Sequence, residues 1–183
     1  MKRKYLIWAF AATVILQLLI PAKMIYDSEM TEKYGIEYKF KTVPVDPTDF
    51  LRGKYITLNY EAAVFETADT TYTGGNQIYV LLAKDKEGFA EVAAISHEEP
   101  EDTVDYVLAD VAHSYGGRVH IEFPFERFYM NEYKAAAAEK AYTEHSGRKT
   151  TPAYGLVAVK DGHAVLKDVY IENMPVTEYL KRP

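Results

Sequence analysis

After Lys2, Arg3 and Lys4 the chain runs apolar from Tyr5 to Ala22, broken only by Gln17. Such a run predicts a helix about 27 Å long, close to the hydrocarbon thickness of a bilayer. The pattern then becomes mixed, with helix predicted to continue to about Thr31 and to break at Gly35. From Glu37 to Val43 polar and apolar residues alternate, with Tyr38, Phe40 and Thr42 on one side, which predicts a first strand. Pro44 and Pro47 mark an extended loop. Within it, Asp46 can cap one helical turn and Pro47 suits its first position. Tyr55 to Tyr60 is rich in β-branched and aromatic residues and predicts a second strand.

Three antiparallel hairpins follow. Gln77–Ala83 and Phe89–Ser96 flank Lys84 to Gly88; Tyr106–Ala112 and Arg118–Phe123 flank His113 to Gly117. Tyr154–Lys160 and His163–Ile171 flank Asp161-Gly162, a dipeptide whose residues tolerate positive φ and which signals a two-residue turn. One substantial helix is predicted from Asn131, a capping residue, through the alanine run to Thr143, with Gly147 ending the segment. The expected architecture is mainly β (α+β): an antiparallel sandwich or partly open barrel with one substantial helix, preceded by an N-terminal transmembrane helix. The expected division is residues 1–26 as anchor, 27–43 as connector and first strand, and 44–183 as an extracytoplasmic β-rich domain.

The three cations before the apolar run should stay on the cytoplasmic side, which sends the rest of the chain across a cell membrane as a single-pass protein. A cleaved signal peptide is the rival reading. It fits less well, because the run is longer than a signal core and Ile20-Pro21-Ala22-Lys23 makes a poor cleavage site.

Composition narrows the function. From Lys23 onward 18 basic side chains face 27 acidic ones, a net charge of −9. That argues against nucleic acid and against adhesion to anionic lipid. There is no cysteine, which excludes disulfides, thiol catalysis, iron–sulfur clusters and cysteine zinc sites. The five histidines form no ligand-spaced pair and read as scattered and exposed. No nucleophile elbow, phosphate loop or dinucleotide fingerprint occurs. No cofactor or metal is expected. Glu98, Glu99, Glu101 and Asp102 around Pro100 lack the spacing of a calcium loop and read as solvated. The sixteen tyrosines suit half-buried strand faces, or alternatively a sugar or peptide platform.

Two places invite chemistry. Asp46 and Asp49 precede Arg52, either as a loop pinned by charge-assisted hydrogen bonds or as a carboxylate pair beside a guanidinium. On the strand after Gly53, Tyr55, Thr57 and Asn59 share one face, and Ile56, Leu58 and Tyr60 the other. The first face is either solvated or a recognition surface led by Arg52, Tyr55 and Asn59. Further on, Phe123-Pro124-Phe125-Glu126-Arg127-Phe128-Tyr129 places four aromatics around Glu126 and Arg127. They either seed a sheet–helix junction or form a docking patch.

The run from Val45 to Tyr60 resembles the signature of the GDYXXLXY family. Gly53, Tyr55, Leu58 and Tyr60 match its motif, while Lys54 stands where the family has Asp. Glu126 to Tyr129 and the closing stretch Lys167 to Ile171 look similar too. The resemblance implies a membrane-anchored bacterial domain without an established activity, working beside a multi-pass membrane protein. Lys54 removes any acidic role at that position. Three function classes therefore stand: a non-catalytic accessory or binding module for a membrane protein or envelope component, anchored in lipid through residues 5–22; an exported hydrolase using Asp46, Asp49 and Glu126; and a tyrosine-lined binder of sugars or small ligands.

Overall fold

The computed structural model describes residues 2–43 (side chains from Tyr5), 55–101 (Ile56 by its backbone alone), 104–130, 137–138, 140–142, 145 and 152–181. The apolar run forms one helix, α1 (Lys2–Tyr34), which passes through Pro21. It is long and apolar enough to cross a membrane, and none of its apolar window is covered by protein. Trp8, for example, is 74% exposed. The helix outlasts the expected end at Thr31 because its last turn is supported from outside. Thr31 is only 2% exposed, Asp27 and Met30 are half-buried, and α1 lies here against the strands of residues 154–171.

Gly35 alone separates α1 from β1 (Ile36–Val43). Its N–H donates to the Thr31 carbonyl at 2.8 Å. A Cβ here would collide with that same carbonyl oxygen and come within 2.9 Å of the Val159 oxygen. The helix end and the sheet are thus in backbone contact.

The next strands are β2 (Tyr55–Thr57), β3 (Asn59–Tyr60), β4 (Val64–Glu66), β5 (Gln77–Lys84), β6 (Ala90–Ser96), β7 (Tyr106–Tyr115) and β8 (Arg118–Glu122). After them come β9 (Arg127–Tyr129), β10 (Tyr154–Lys160), β11 (His163–Ile171) and β12 (Met174–Pro175), then a short helix α2 (Val176–Tyr179). They make two five-stranded sheets, ordered β12-β11-β10-β1-β3 and β4-β8-β7-β5-β6, and a ribbon of β2 and β9. Every ladder pair is antiparallel.

Period-2 burial on β1, β5, β7 and β8 turns one face of each sheet inward. Tyr38, Phe40, Val157, Val159, Val169 and Ile171 of the first sheet meet Ile78, Val80, Val107, Val111, Val119 and Ile121 of the second in one core. Two parallel bridges, Lys39 with Phe89 and Val107 with Gly162, tie the sheets together, so the sandwich is partly closed.

The expected hairpins form. The third has the predicted bounds, with Asp161 and Gly162 both at positive φ. The second is tighter than expected. Gly116 and Gly117, at φ 62° and 77°, make the whole turn, so β7 extends through His113, Ser114 and Tyr115. The strand expected from Tyr55 to Tyr60 is divided at Leu58, because its two halves serve different sheets. Residues 137, 138, 140–142 and 145 are helical, in and just past the predicted span, whose start at Asn131 lies outside the described residues.

Candidate functional site

The motif strand enters the ribbon first. Tyr55, Ile56 and Thr57 pair with Tyr129, Phe128 and Arg127. The Leu58 N–H then donates to the Glu126 carbonyl at 2.8 Å. Beyond it, Asn59 and Tyr60 pair with Val43 and Thr42 of β1. Leu58 and Tyr60 are fully buried, while Thr57 and Asn59 face solvent.

Tyr60 anchors the junction of the three sheets. Its ring lies 5.5 Å from Phe40, 6.2 Å from Phe123 and 5.3 Å from Phe125 between centroids. Its hydroxyl donates to the Phe125 carbonyl at 2.9 Å. Gly155 leaves room for it: a Cβ there would sit 3.1 Å from the hydroxyl oxygen. Burial raises the Tyr60 hydroxyl well above the usual phenol range, so it stays a neutral donor.

On the outer face the ribbon presents an aromatic and cationic patch. The Tyr55 and Tyr129 rings lie 5.4 Å apart, and the Arg127 guanidinium carbon stands 5.4 Å from the Tyr55 centroid. Tyr129 is 66% exposed. Arg127 is exposed, and among the described residues it makes no ion pair. A stacked guanidinium beside an exposed tyrosine can bind aromatic, carboxylate or amide groups.

Glu126 turns the other way. It is half-buried, and its Oε1 accepts the Phe123 N–H at 3.1 Å. Desolvation raises its carboxyl above the ordinary glutamate value and Glu122 adds to this, while the Phe123 N–H and Arg127 oppose it. Of the residues singled out from sequence, the structure thus joins Tyr55 with Arg127, sets the Glu126 carboxylate behind the turn, and places Asn59 on β3. Asp46, Asp49, Arg52, Gly53 and Lys54 lie outside the described residues.

Phe123 and Phe125, within the aromatic run, are core residues rather than surface ones. Tyr129 joins the patch only through its register opposite Tyr55, which no local sequence signal reveals. Tyr142 was also not singled out. It packs under the motif strand, where burial pushes its hydroxyl up to about 12 against hydrogen bonds from Thr42 and the Asn59 backbone.

The histidines are not all scattered and exposed. His113 and His120 stack at 4.1 Å across β7 and β8. His145 is 5% exposed, because the helix carrying it lies on the core. Its Nδ1 donates to the Ala141 carbonyl at 2.8 Å, and its Nε2 stands 3.4 Å from the Tyr179 hydroxyl and 3.5 Å from the Glu172 carboxylate. Among the described residues no three His, Asp or Glu side chains are placed to hold a metal ion.

Described cavities lie away from the patch. One of about 350 Å³ is lined by Lys41, Glu61, Phe65, Asp85 and Glu91, and one of about 420 Å³ by Tyr106, Glu99, Asp161 and His163.

No curated protein matches this chain, and no solved structure does. A family description, GDYXXLXY protein, matches residues 17–169, which take in α1 from Gln17, the motif strand, the ribbon and β11 to Val169. With Tyr55, Leu58 and Tyr60 at the junction of three sheets and the match spanning most of the sequence, the chain belongs to the GDYXXLXY family.

Proposed function

We propose that this chain is a membrane-anchored accessory module that binds a membrane protein outside the cytoplasm and catalyses no reaction itself. Residues 1–26 anchor it, 27–43 lead into the first sheet, and 44–183 form the body of the exported domain. Lys2, Arg3 and Lys4 hold the N-terminus on the cytoplasmic side.

The observation that carries this reading is the joint at Gly35. A freely acting exported enzyme gains reach from a flexible stalk. Here one glycine links α1 to a central strand, and Thr31 is buried in the sheet. Such a joint fixes the domain's distance and orientation to the bilayer, as a docking module requires and a wandering hydrolase does not. The ribbon patch of Tyr55, Arg127 and Tyr129 supplies the contact surface, with the tyrosine and arginine anchors common at interfaces. The partner that fits best is a multi-pass membrane protein, because the domain stands within two or three helical turns of the bilayer.

The test is site-specific photo-crosslinking in native membranes with the probe at position 129. A discrete adduct with another membrane protein, weakened by Arg127→Ala, is expected. Recovery of the chain alone, across probes on both sheets, sinks the reading.

A further inference from the structure

Gln17 is the polar exception in the membrane-spanning segment, and its surroundings give it a task. It lies twelve residues after Tyr5 and six before Lys23, about 18 Å and about 9 Å along the helix, too deep for its side chain to reach either interface. Its carboxamide has no hydrogen-bond partner among the described residues. Pro21 compounds this. It has no N–H, so the Gln17 carbonyl four residues earlier loses its helical donor. One position thus carries two donors and two acceptors in hydrocarbon, where water cannot satisfy them and neighbouring helices normally do. Thr13, by contrast, is satisfied within the helix, its hydroxyl donating to the Ala9 carbonyl at 3.0 Å.

Rotation along α1 says where this position points. At 3.6 residues per turn, the eighteen residues from Thr13 to Thr31 make five whole turns. Thr31 is the residue buried against β10 and β11, so Thr13 points to the side on which the domain hangs. Gln17 and Ala9 lie about 40° to either side of that direction. Trp8, Ile15 and Leu18 cover the opposite face. Leu6 and Ile20 lie about 20°, and Phe10 and Leu16 about 60°, from the same direction, so Gln17 is the one carboxamide on a side that is otherwise largely apolar.

This placement selects the occupant. Helices pack with axes about 8–10 Å apart. A domain of this size has a radius of gyration of about 15 Å. A second copy related by a two-fold axis on the Gln17 face would bring its own domain into the space already filled by the first.

We propose that the Gln17 face docks a transmembrane helix of a different protein. That helix carries a hydrogen-bonding side chain at the depth of Gln17 and only a short outer loop at this point, so the domain roofs over it. The proposal rests on the anchored reading above and names the intramembrane part of the same contact.

The full-length chain in its native membrane tests it, with a photo-crosslinking residue at position 13 or position 15. Expected is one discrete adduct from position 13, differing in mass from two copies of the chain, and far less from position 15. Gln17→Leu should weaken that adduct about fivefold, and Gln17→Asn should largely keep it. Both substitutions leave the segment apolar enough to insert. An adduct of two copies, equal yield from both faces, or indifference to Gln17→Leu overturns the proposal. Loss of position-13 adducts while position-129 adducts persist overturns it and leaves the accessory reading standing; loss of both removes both.

Discussion

At the scale of single residues, Tyr60 carries more of the fold than any other position of the motif. Its ring fills the space between Phe40, Phe123 and Phe125, and its hydroxyl satisfies the buried Phe125 carbonyl. Tyr60→Phe keeps the ring and strands that carbonyl, so it should lower stability by about 1–3 kcal/mol in urea unfolding. An unchanged midpoint would show that water reaches the carbonyl. Glu126 makes a prediction of the opposite sign. Its carboxyl is raised by burial, so between the ordinary glutamate value and the raised one the native state holds the proton more tightly than the unfolded chain does. Stability contributed at this site therefore falls as pH rises through that window. Glu126→Gln keeps an acceptor for the Phe123 N–H and removes the charge. It should raise the melting temperature near neutral pH, with the gain shrinking as pH falls toward the ordinary glutamate range; melting curves from pH 4 to 8 check this. Residue identity announced Tyr60 as a motif position and Glu126 as a candidate acid. It did not announce that one is a core donor and the other faces away from Tyr55, because both facts depend on which strand lies opposite.

At the scale of elements, the turns were the most legible part of the chain. Asp161-Gly162 demands positive φ at both positions, and the structure supplies it at 49° and 79°. The turn does more than close a hairpin. The Gly162 carbonyl accepts the Leu108 N–H at 2.9 Å, and a Cβ on Gly162 would come within 2.7 Å of the Tyr106 ring. Gly162→Ala therefore combines backbone strain with a clash at the seam between sheets, and should cost about 2–4 kcal/mol. A Gly162→Ala protein as stable as the parent would show that the seam is not held there. The divided motif strand was not legible, because alternation from Tyr55 to Tyr60 is the same whether a strand has one partner or two. Only the Leu58 N–H, bonded to Glu126 between the two ladders, marks the change of sheet. His145 escaped for a related reason: its burial comes from the helix that carries it lying on the core, a tertiary fact with no local signature.

At the scale of the whole molecule, the question is whether α1 is an anchor tied to a domain or part of the domain's structure. Met30 is half-buried and Thr31 buried where α1 packs on β10 and β11, and Gly35 has no room for a side chain between the Thr31 and Val159 backbones. The last helical turns thus behave as a lid on the first sheet. Two truncated chains separate the possibilities. One beginning at Lys23 keeps that lid and loses the apolar run; one beginning at Ile36 loses both. Uncovering the surface beneath Met30 and Thr31 should cost about 2 kcal/mol, since burying one mid-sized side chain contributes about 1.5–3 kcal/mol. For a domain of this length that is a fall of about 5 °C in melting temperature. The Lys23 chain should melt as the full chain does, and the Ile36 chain below it. Thr31→Lys in the Lys23 chain should reproduce the fall, because a charged side chain cannot occupy a site that is 2% exposed without prising the helix away. If all three melt together, the helix end holds nothing, and the fixed orientation that places Gln17 beneath the domain goes with it.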